Sequence, residues 1–374
     1  MKNRILHLAN DFSGSTVYKN LFQELDFLGF SQSIYTAVRS TEQFDRNRID
    51  FKIDSSKILY RDILSNYTRI NYNAKIKRVV SDVNKSLSLI DFDLIHAHTW
   101  YSDGGVAYEL HKLYDIPYVI TIRNTDLNLF FRYMLHLRSY GIKILLNAKS
   151  IIFISPVYRE RFYRHPYIKN HLSILSSKSM VIPNGIDKFW LKQFGVQKHL
   201  DEHAVQILYI GKFTKGKNVE ALIRAVEVVR AGGKNCVLNL IGKGGSQFDN
   251  VMKLCKARSS WITYHGEILE KEVLLNHYKQ NHIFAMPSKN ETFGLVYIEA
   301  LTQGLPVLYT KGEGIDGLYD SHIGEAINAS KIDSIAMGIE NIISNYQKYR
   351  FSPEHIGENH NWSTIALKMQ KVYS

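Results

Sequence analysis

The chain has little cysteine, little proline and no long hydrophobic segment. Its two cysteines, Cys236 and Cys255, are too few for a disulfide framework, so a reducing cytoplasm is the expected compartment. No stretch of about 18 apolar residues is present that could span a bilayer. The apolar stretch that follows Met1 is far too short for a signal peptide and predicts a first strand instead. These absences exclude a small disulfide-rich scaffold and a bundle of membrane-spanning helices.

Acidic residues are scarce in the first half of the chain. Residues 1–200 hold 28 Lys and Arg against 17 Asp and Glu, a net charge of +11, whereas residues 201–374 hold 19 against 18. A basic half attracts nucleic acid, an anionic membrane surface or a phosphorylated substrate. Neither zinc-finger spacing nor an RNA-binding signature is present, so nucleic acid is not expected as a partner. A basic surface that serves only solubility is the alternative.

The length and the pattern of apolar segments predict two α/β domains. At 374 residues with 45% hydrophobic content, the chain exceeds what one core usually supports. Apolar segments alternate with helical stretches, as in a doubly wound parallel sheet. A polar, aperiodic stretch near residues 190–204 predicts the boundary, which gives domains over residues 1–190 and 191–350. Residues 351–374 predict a C-terminal helix. The strand candidates are Ile5–Ala9, Leu94–Ala97, Tyr118–Ile122, Ile151–Ile154, Val205–Ile210 and Val237–Ile241.

Two carboxylates eight residues apart flank a glycine-containing loop, with Glu291 in the loop and Glu299 in the helix that follows. The N-terminus of such a helix offers unpaired N–H groups and a partial positive charge, which suit a phosphate. The carboxylates can then bind hydroxyl groups on opposite sides of that phosphate, as a sugar–diphosphate–ribose ligand requires. For this segment alone, an ordinary strand–loop–helix junction with two solvated glutamates is the alternative.

The same segment resembles the retaining family 4 glycosyltransferases of the GT-B fold, of the type that builds bacterial surface polysaccharide or lipopolysaccharide. That family carries Glu-x7-Glu between a Pro-Ser strand end and a Gly-x-Pro-Val turn, here Pro287-Ser288 and Gly304-Leu305-Pro306-Val307. The resemblance implies an α/β architecture of two Rossmann-like doubly wound domains facing a central cleft. It also implies that a C-terminal helix crosses back to the first domain.

The resemblance places most of the donor site in the second half. Lys212 and Lys217 stand at the cation positions of the family's phosphate clamp, with lysine where arginine is usual at position 212. The segment from Gly211 also satisfies Gly-x4-Gly-Lys of a P-loop, but Asn218 replaces the hydroxyl residue that would hold magnesium. The implied donor-binding residues are Gly14, Gly211, Lys212, Lys217, Gly242, Gly244, His265, Gly266, Glu291, Thr292, Phe293, Gly294, Leu295 and Glu299.

Residues near strand ends of the first half are the implied acceptor site. Many relatives have a histidine six residues after a proline, and Arg123 stands at that position after Pro117. Arginine stays charged, so it cannot shuttle a proton, but it can stabilise a departing phosphate or bind an anionic sugar or acceptor. A surface ion pair between Arg123 and Asp126 is the structural alternative. The implied acceptor-binding residues are Asp11, Ser13, Arg123, Asn124 and Asp126.

The predicted catalytic residues are Glu291, Lys212, Lys217, Arg123 and His98. His98 follows a predicted strand, where it can enter the cleft. His96 and His98 form only a pair without a third ligand in view, so no metal site is predicted.

The predicted reaction moves a sugar from a UDP- or GDP-linked donor, with UDP favoured, to a glycan or lipid-phosphate-linked acceptor. The resemblance implies retention, with the donor phosphate helping to deprotonate the acceptor, and no cofactor is expected. The basic first half and the basic, apolar segment 128–143 predict a cytoplasmic enzyme that is peripheral at the inner membrane face, on anionic lipid. A sugar-nucleotide 2-epimerase of the same fold and a catalytically silent partner subunit are the alternatives.

Overall fold

The computed structural model describes residues 4–200, 204–319 and 322–374, which divide into two compact units. Unit 1 comprises Met1–Ile154, Arg159–Gly185 and Trp362–Ser374. Unit 2 comprises Ser155–Tyr158 and Ile186–Asn361. The short segment Ser155–Tyr158 therefore packs with unit 2, although the sequence on both sides of it belongs to unit 1.

Unit 1 contains a seven-stranded parallel sheet in the order β3-β2-β1-β4-β5-β6-β7. The strand order reverses between β1 and β4, and ligands of open α/β sheets bind at such a reversal, beyond the carboxyl ends of the strands. The strands are β1 (Arg4–Leu8), β2 (Ser31–Val38), β3 (Lys57–Asp62), β4 (Leu94–Ala97), β5 (Tyr118–Ile122), β6 (Ser150–Phe153) and β7 (Ser179–Val181).

Helices connect these strands, and capping side chains define several of their ends. Ser15 accepts from the N–H of Val17 at the start of the first helix, and Asn71 accepts from the N–H of Ala74 at the start of the third. The helices are α1 (Thr16–Phe27), α2 (Tyr67–Ile70), α3 (Tyr72–Ser86), α4 (Ser102–Tyr114), α5 (Arg138–Asn147), α6 (Pro156–Tyr163) and α7 (Leu172–Ser177).

The basic, apolar segment 128–143 does not form a single helix. Asp126–Phe131 is π-helical, Leu135–Leu137 is a 3-10 turn, and α5 begins only at Arg138. Met134, at φ −92° and ψ 68°, interrupts the helical backbone between them. A single helix presents one apolar face, whereas here buried and exposed apolar residues alternate irregularly along the segment. Three apolar side chains of the segment, Leu129, Tyr133 and Leu135, are exposed.

Unit 2 contains a six-stranded parallel sheet in the order β10-β9-β8-β11-β12-β13, so its order reverses between β8 and β11. The strands are β8 (Val205–Ile210), β9 (Cys236–Ile241), β10 (Ile262–Tyr264), β11 (Ile283–Ala285), β12 (Val307–Thr310) and β13 (Gly324–Ile327). The helices are α8 (Val219–Ala231), α9 (Phe248–Ala257), α10 (Lys271–Gln280), α11 (Leu295–Thr302), α12 (Ile332–Ser344) and α13 (Pro353–Asn359).

The last helix, α14 (Trp362–Tyr373), belongs to unit 1 and packs on α1. Its apolar residues join the core of that unit, and Ser363 donates to the carboxylate of Glu24 at 2.8 Å. The predicted pair of doubly wound domains and the return of the C-terminal helix to the first of them are thus confirmed. In the described ranges, no helix combines the length and apolarity needed to cross a membrane.

Candidate active site

The loop between β11 and α11 carries Glu291 and reaches the helix through a left-handed glycine. Gly294 has φ +76°, and a Cβ there would lie 2.5 Å from the ring of Tyr297. The Tyr297 hydroxyl donates to the carbonyl of Met286, which ties the helix back to the strand end. No side chain within the described residues caps α11; the N–H of Tyr297 bonds to the Gly294 carbonyl, whereas the N–H groups that begin the helix have no intrahelical acceptor. The loop therefore offers bare amides at a helix N-terminus.

Glu291 is paired with the lysine of the predicted phosphate clamp. The Lys217 ammonium lies 2.5 Å from Glu291 Oε2, and both side chains are largely shielded from solvent. Lys212, the other predicted cation, is exposed. Asn218 donates its amide to the Ala329 carbonyl at 2.8 Å, so this side chain is used inside the fold and offers no hydroxyl for a magnesium ion. The structure thus brings together Glu291 and Lys217, which lie 74 residues apart.

Glu299 lies further along α11 and is half-buried. Burial raises the pKa of its carboxyl to about 7, and the hydrogen bond from Tyr278 at 3.0 Å opposes that rise. The ion pair of Asp187 with Lys271, 2.6 Å long, acts on the same carboxyl in both directions. Glu299 is therefore poised between its neutral and charged forms near neutral pH.

The predicted base-binding turns lie together at the ends of β9 and β10. The N–H of Gly242 donates to the carbonyl of Gly266 at 2.8 Å. His265 contacts the Asn239 carbonyl oxygen through Nε2 at 2.9 Å. Since the Asn239 amide donates elsewhere, its oxygen is the acceptor and His265 Nε2 carries the proton. The remaining predicted donor positions of unit 2 are half-buried except Phe293, which is buried: Gly211, Gly244, Thr292, Gly294 and Leu295.

In unit 1, Arg123 follows β5, with the Asp126 carboxylate bound to its backbone N–H. Its guanidinium lies 4.8 Å from the ring centre of Tyr18, and its Nε donates to the His98 carbonyl at 3.2 Å. Among the described residues, no acid forms an ion pair with it, so the alternative pair with Asp126 is absent. Two more cations near this sheet edge, Arg39 after β2 and the half-buried Lys75 on α3, likewise form no ion pair among the described residues. Burial and Arg39 both lower the pKa of Lys75, while Asp103 acts against them.

Asp126 is buried and holds the backbone of this region. Its carboxylate accepts from the N–H groups of Trp100, Tyr101 and Arg123 at 2.9–3.1 Å. Burial raises its pKa to about 6. Asp126 therefore positions Arg123 instead of offering a free carboxylate to an acceptor. Of the other predicted acceptor residues, Asp11 is exposed and Asn124 accepts from Asn128. Ser13 is buried, and its hydroxyl has no hydrogen-bond partner in the described part of the chain. The predicted donor residue Gly14 is exposed, with open space where a Cβ would lie.

His98 follows β4, as predicted, but its ring is buried and does not line an open cleft as expected. Its Nε2 lies 3.1 Å from His7 Nδ1, and its ring stacks on that of His96 at 3.9 Å. His96 in turn contacts Thr121 and Tyr373 through its two nitrogens. Burial lowers the pKa of all three histidines, that of His7 to about 3. His7 supplies the third imidazole that the sequence did not reveal. Its Nδ1 bonds to His98 Nε2 and both nitrogens of His96 contact hydroxyls, while His7 Nε2 is buried without a hydrogen-bond partner among the described residues.

Two protein-family models match successive parts of the chain. Residues 14–188 match Glycosyltransferase Family 4, and residues 193–360 match Glycosyl transferases group 1. The chain belongs to the family 4 glycosyltransferases. Together the two matches cover most of both units, including the Glu291 loop and the strand ends around Arg123, but not β1 or α14.

Individual relatives of this glycosyltransferase are distant. The alpha-monoglucosyldiacylglycerol synthase of Acholeplasma laidlawii is 22% identical, with 95% of this chain and 89% of that protein covered. The sucrose-phosphate synthase structure of Thermosynechococcus elongatus superposes with a TM-score of 0.72 at 19% identity, covering 99% and 98% of the two chains. The HepE structure of Anabaena, in complex with UDP-glucose, gives 0.64 at 14%, covering 98% of each. These structural similarities establish the GT-B fold.

Sequence reasoning missed several residues beside the candidate site residues of each unit. Tyr278 and Trp190 beside Glu299 have no motif of their own, and Lys75 looked like any helix-surface lysine. One signal was present: His7 and His96 occupy the same register on the paired strands β1 and β4. Glu313 also had no assigned role, although its carboxylate accepts from the N–H of Glu291.

Proposed function

We propose that this glycosyltransferase transfers a sugar with retention from a nucleotide-diphosphate sugar, UDP-linked in preference to GDP-linked. We further propose a glycan or lipid-linked acceptor in cell-surface polysaccharide biosynthesis. The observation that carries the proposal is the pairing of Lys217 with Glu291 at the uncapped N-terminus of α11, with Glu299 on the same helix. A cation, bare amides and two carboxylates on one short segment match the groups of a sugar–diphosphate–ribose ligand.

The chemistry asked of the site is stabilisation of the departing nucleoside diphosphate. The bond between the anomeric carbon and the phosphate oxygen breaks, and negative charge develops on the diphosphate. Lysine has three donors, so Lys217 can keep Glu291 and bind a phosphate oxygen at once. Lys212 and the amides of residues 293–295 supply further positive potential, which lowers the barrier without a metal ion.

Retention is proposed to proceed without a protein nucleophile. The acceptor oxygen forms its bond to the anomeric carbon on the face that the diphosphate leaves, and the acceptor proton passes to a phosphate oxygen. Glu291 would bind sugar hydroxyls and Glu299 the ribose hydroxyls. The similarity to a protein solved with UDP-glucose supports a UDP-linked donor.

The acceptor is proposed to be anionic and to bind unit 1 beyond the carboxyl ends of its strands. Arg39 follows β2, Lys75 lies on α3, and Arg123 follows β5. None of these cations forms an ion pair in the described part of the chain. The carboxyl ends of β2, β1, β4 and β5 are neighbours in the sheet. Since a cation shielded from water favours an anionic partner, a phosphate or carboxylate of the acceptor is proposed to bind these cations, in addition to the buried Asp103 that acts on Lys75. The similarity to a glycolipid synthase is compatible with a lipid-linked acceptor.

A thermal-shift comparison of UDP, GDP, ADP and CMP tests the donor, because a ligand that binds the folded state raises its apparent stability. UDP should give the largest shift. Glu299→Ala should weaken binding of free UDP, whereas Glu291→Ala should spare it and lower turnover. Equal UDP affinity in wild type and Glu299→Ala, measured by calorimetry, would refute this assignment. Release of a 2-epimerised sugar without any acceptor would favour the epimerase instead.

A further inference from the structure

We propose that Glu313 is a positioning residue for glycosyl transfer: it fixes the backbone of Glu291 and thereby places the Glu291 carboxylate. The inference rests on the proposed function only in assigning Glu291 to the donor sugar. Glu313 itself contacts no ligand in this scheme and acts through Glu291.

The first contact is a carboxylate–amide hydrogen bond. Glu313 Oε2 accepts from the N–H of Glu291 at 3.0 Å and from the hydroxyl of Tyr158 at 2.7 Å. Glu313 is only 8% exposed, so water does not compete freely for these bonds. Hydrogen bonds to a charged acceptor are stronger than those between neutral groups. Glu313 thus holds the amide of Glu291 from one side, and Tyr158 orients Glu313.

The next residue holds the other backbone group of Glu291. The N–H of Gly314 donates to the Glu291 carbonyl at 2.7 Å, and the carbonyl of Gly314 accepts from the hydroxyl of Ser155 at 2.7 Å. Gly314 has φ +55°, and a Cβ there would lie 3.1 Å from Glu291 Cγ. Residues 313 and 314 therefore pin both backbone groups of Glu291 and pack against its side chain. Tyr158 and Ser155, from the segment that joins unit 2, anchor this pair.

Glu291 needs such support because it lies in a loop without regular structure. Lys217 holds the tip of its side chain, but a lysine is a flexible tether and a donor phosphate would compete for it. Glu313 comes from the turn that follows β12, so it reaches the loop of Glu291 from another part of unit 2. It is well explained as a strong, directional acceptor for one N–H. Loss of that bond would let the Glu291 carboxylate shift with Lys217.

The test uses Glu313→Ala, Glu313→Gln and Tyr158→Phe in the full chain. The matched control is Glu325→Ala, which removes another carboxylate of unit 2 that accepts from a tyrosine, Tyr349, at 2.6 Å. Three quantities are measured: UDP affinity by calorimetry, hydrolysis of UDP-glucose to UDP without acceptor, and hydrogen exchange of the peptide spanning residues 289–294.

Glu313→Ala should slow turnover about ten- to a hundredfold, the range expected when a binding group shifts by about 1 Å. UDP affinity should stay within about twofold, because the ribose and the helix amides are untouched. Exchange of the 289–294 peptide should accelerate. Glu313→Gln should recover most of the turnover, since its amide oxygen can accept the same bonds. Glu325→Ala should change none of the three quantities.

Wild-type turnover and exchange in Glu313→Ala would overturn the proposal. So would a parallel loss of UDP affinity and turnover, since that marks general damage to the unit. If Glu313→Ala fails to fold, Tyr158→Phe provides the test. Slower turnover and faster exchange with unchanged UDP affinity would support the positioning role of Glu313, and no change in these quantities would refute it. If the wild type neither binds UDP nor hydrolyses UDP-glucose, the proposed donor fails, and the exchange rates alone then judge whether Glu313 holds Glu291.

Discussion

Glu299 shows how burial of a single carboxyl can make ligand binding depend on pH. Its pKa, raised to about 7 by burial, lies above the ordinary value of 4.5. The ionised form accepts hydrogen bonds at both oxygens, whereas the neutral form donates at one. UDP-glucose affinity should therefore weaken as the pH falls below about 7, by up to about tenfold per pH unit. UDP-glucose suits the calorimetric titration because its diphosphate is esterified at both ends.

The pH dependence should disappear in Glu299→Gln, which is neutral throughout. A wild-type dissociation constant that stays flat between pH 8 and pH 6 would contradict the assignment of Glu299 to the ribose hydroxyls. A slope that survives in Glu299→Gln would assign it to another group.

The buried histidines of unit 1 make a second prediction at this scale, about stability. Burial holds the pKa of His98 well below its ordinary value of 6.5. Below pH 6.5 the imidazole of His98 binds a proton in the unfolded chain but stays neutral in the folded chain. Protonation of His98 therefore favours unfolding as the pH falls. Between pH 7 and pH 5 the unfolding free energy of His98→Gln should rise relative to wild type by about 2 kcal/mol.

Comparison with a variant is required because buried acids act in the opposite direction. Burial raises the pKa of Asp126 to about 6, and such a group gains folding stability as the pH falls. Urea unfolding at the two pH values measures the difference between His98→Gln and wild type. The exposed His136 of the same unit is the matched control, since its ring is hydrated in both states. A difference that does not change with pH would contradict burial of a neutral His98.

At the scale of elements, the donor diphosphate should bind at the start of α11, where Lys217 from the segment before α8 lies beside Glu291. Removing one charged partner of a phosphate costs on the order of 1.5–3 kcal/mol. Lys217→Ala should therefore lose roughly one to two decades of UDP affinity by calorimetry. Lys112→Ala, which breaks the 2.7 Å ion pair with Glu109 in unit 1, should leave it unchanged.

A measurement of activity in EDTA distinguishes the phosphate clamp from a P-loop that needs magnesium. Activity of the wild type should persist in EDTA, because lysines and amides supply the positive charge. Strict dependence on magnesium would revive the P-loop alternative, and UDP affinity unaltered by Lys217→Ala would remove Lys217 from the donor site.

The elements also show where sequence reasoning succeeds. Strand β8 was predicted with the bounds that the structure gives, and β4 and β5 likewise, because fully buried parallel strands are short apolar segments between polar ones. The Glu291 loop and the start of α11 followed from local chemistry. These features are encoded in neighbouring residues.

Features that depend on distant residues were not predictable in the same way. Nothing near Glu313 in the sequence indicates that Tyr158 and Glu291 both donate to one oxygen of its carboxylate. Tyr158 lies 155 residues before Glu313 in the chain. The burial of His98 depends on His7, which arrives from another strand. The break at Met134 is also non-local, because packing on both sides of the segment decides it. Sequence periodicity therefore gives the elements, while the partners of buried polar groups require the fold.

At the scale of the whole molecule, charge and exposed apolar surface are concentrated in the same half. Residues 1–200 carry a net charge of +11, and the segment before α5 exposes Leu129, Tyr133 and Leu135. Arg132 lies over the ring of Tyr133, and Arg138 lies near those of Phe131 and Tyr167. Aromatic, aliphatic and basic side chains in one patch suit the interface of an anionic bilayer.

If this patch docks on lipid, the protein should sediment with vesicles that contain phosphatidylglycerol and detach as salt rises, because exposed charges are screened beyond about 8 Å at physiological ionic strength. Tyr133→Ser with Leu135→Ser should weaken sedimentation, since these side chains are 64% and 60% exposed and supply the apolar contact. Leu269→Ser in unit 2 is the matched control: Leu269 is 80% exposed but lies in the half with almost no net charge. A protein that ignores anionic vesicles at low salt would favour a soluble acceptor. Equal losses in the patch variant and the control would mean that apolar exposure alone, without the basic surroundings, drives the binding.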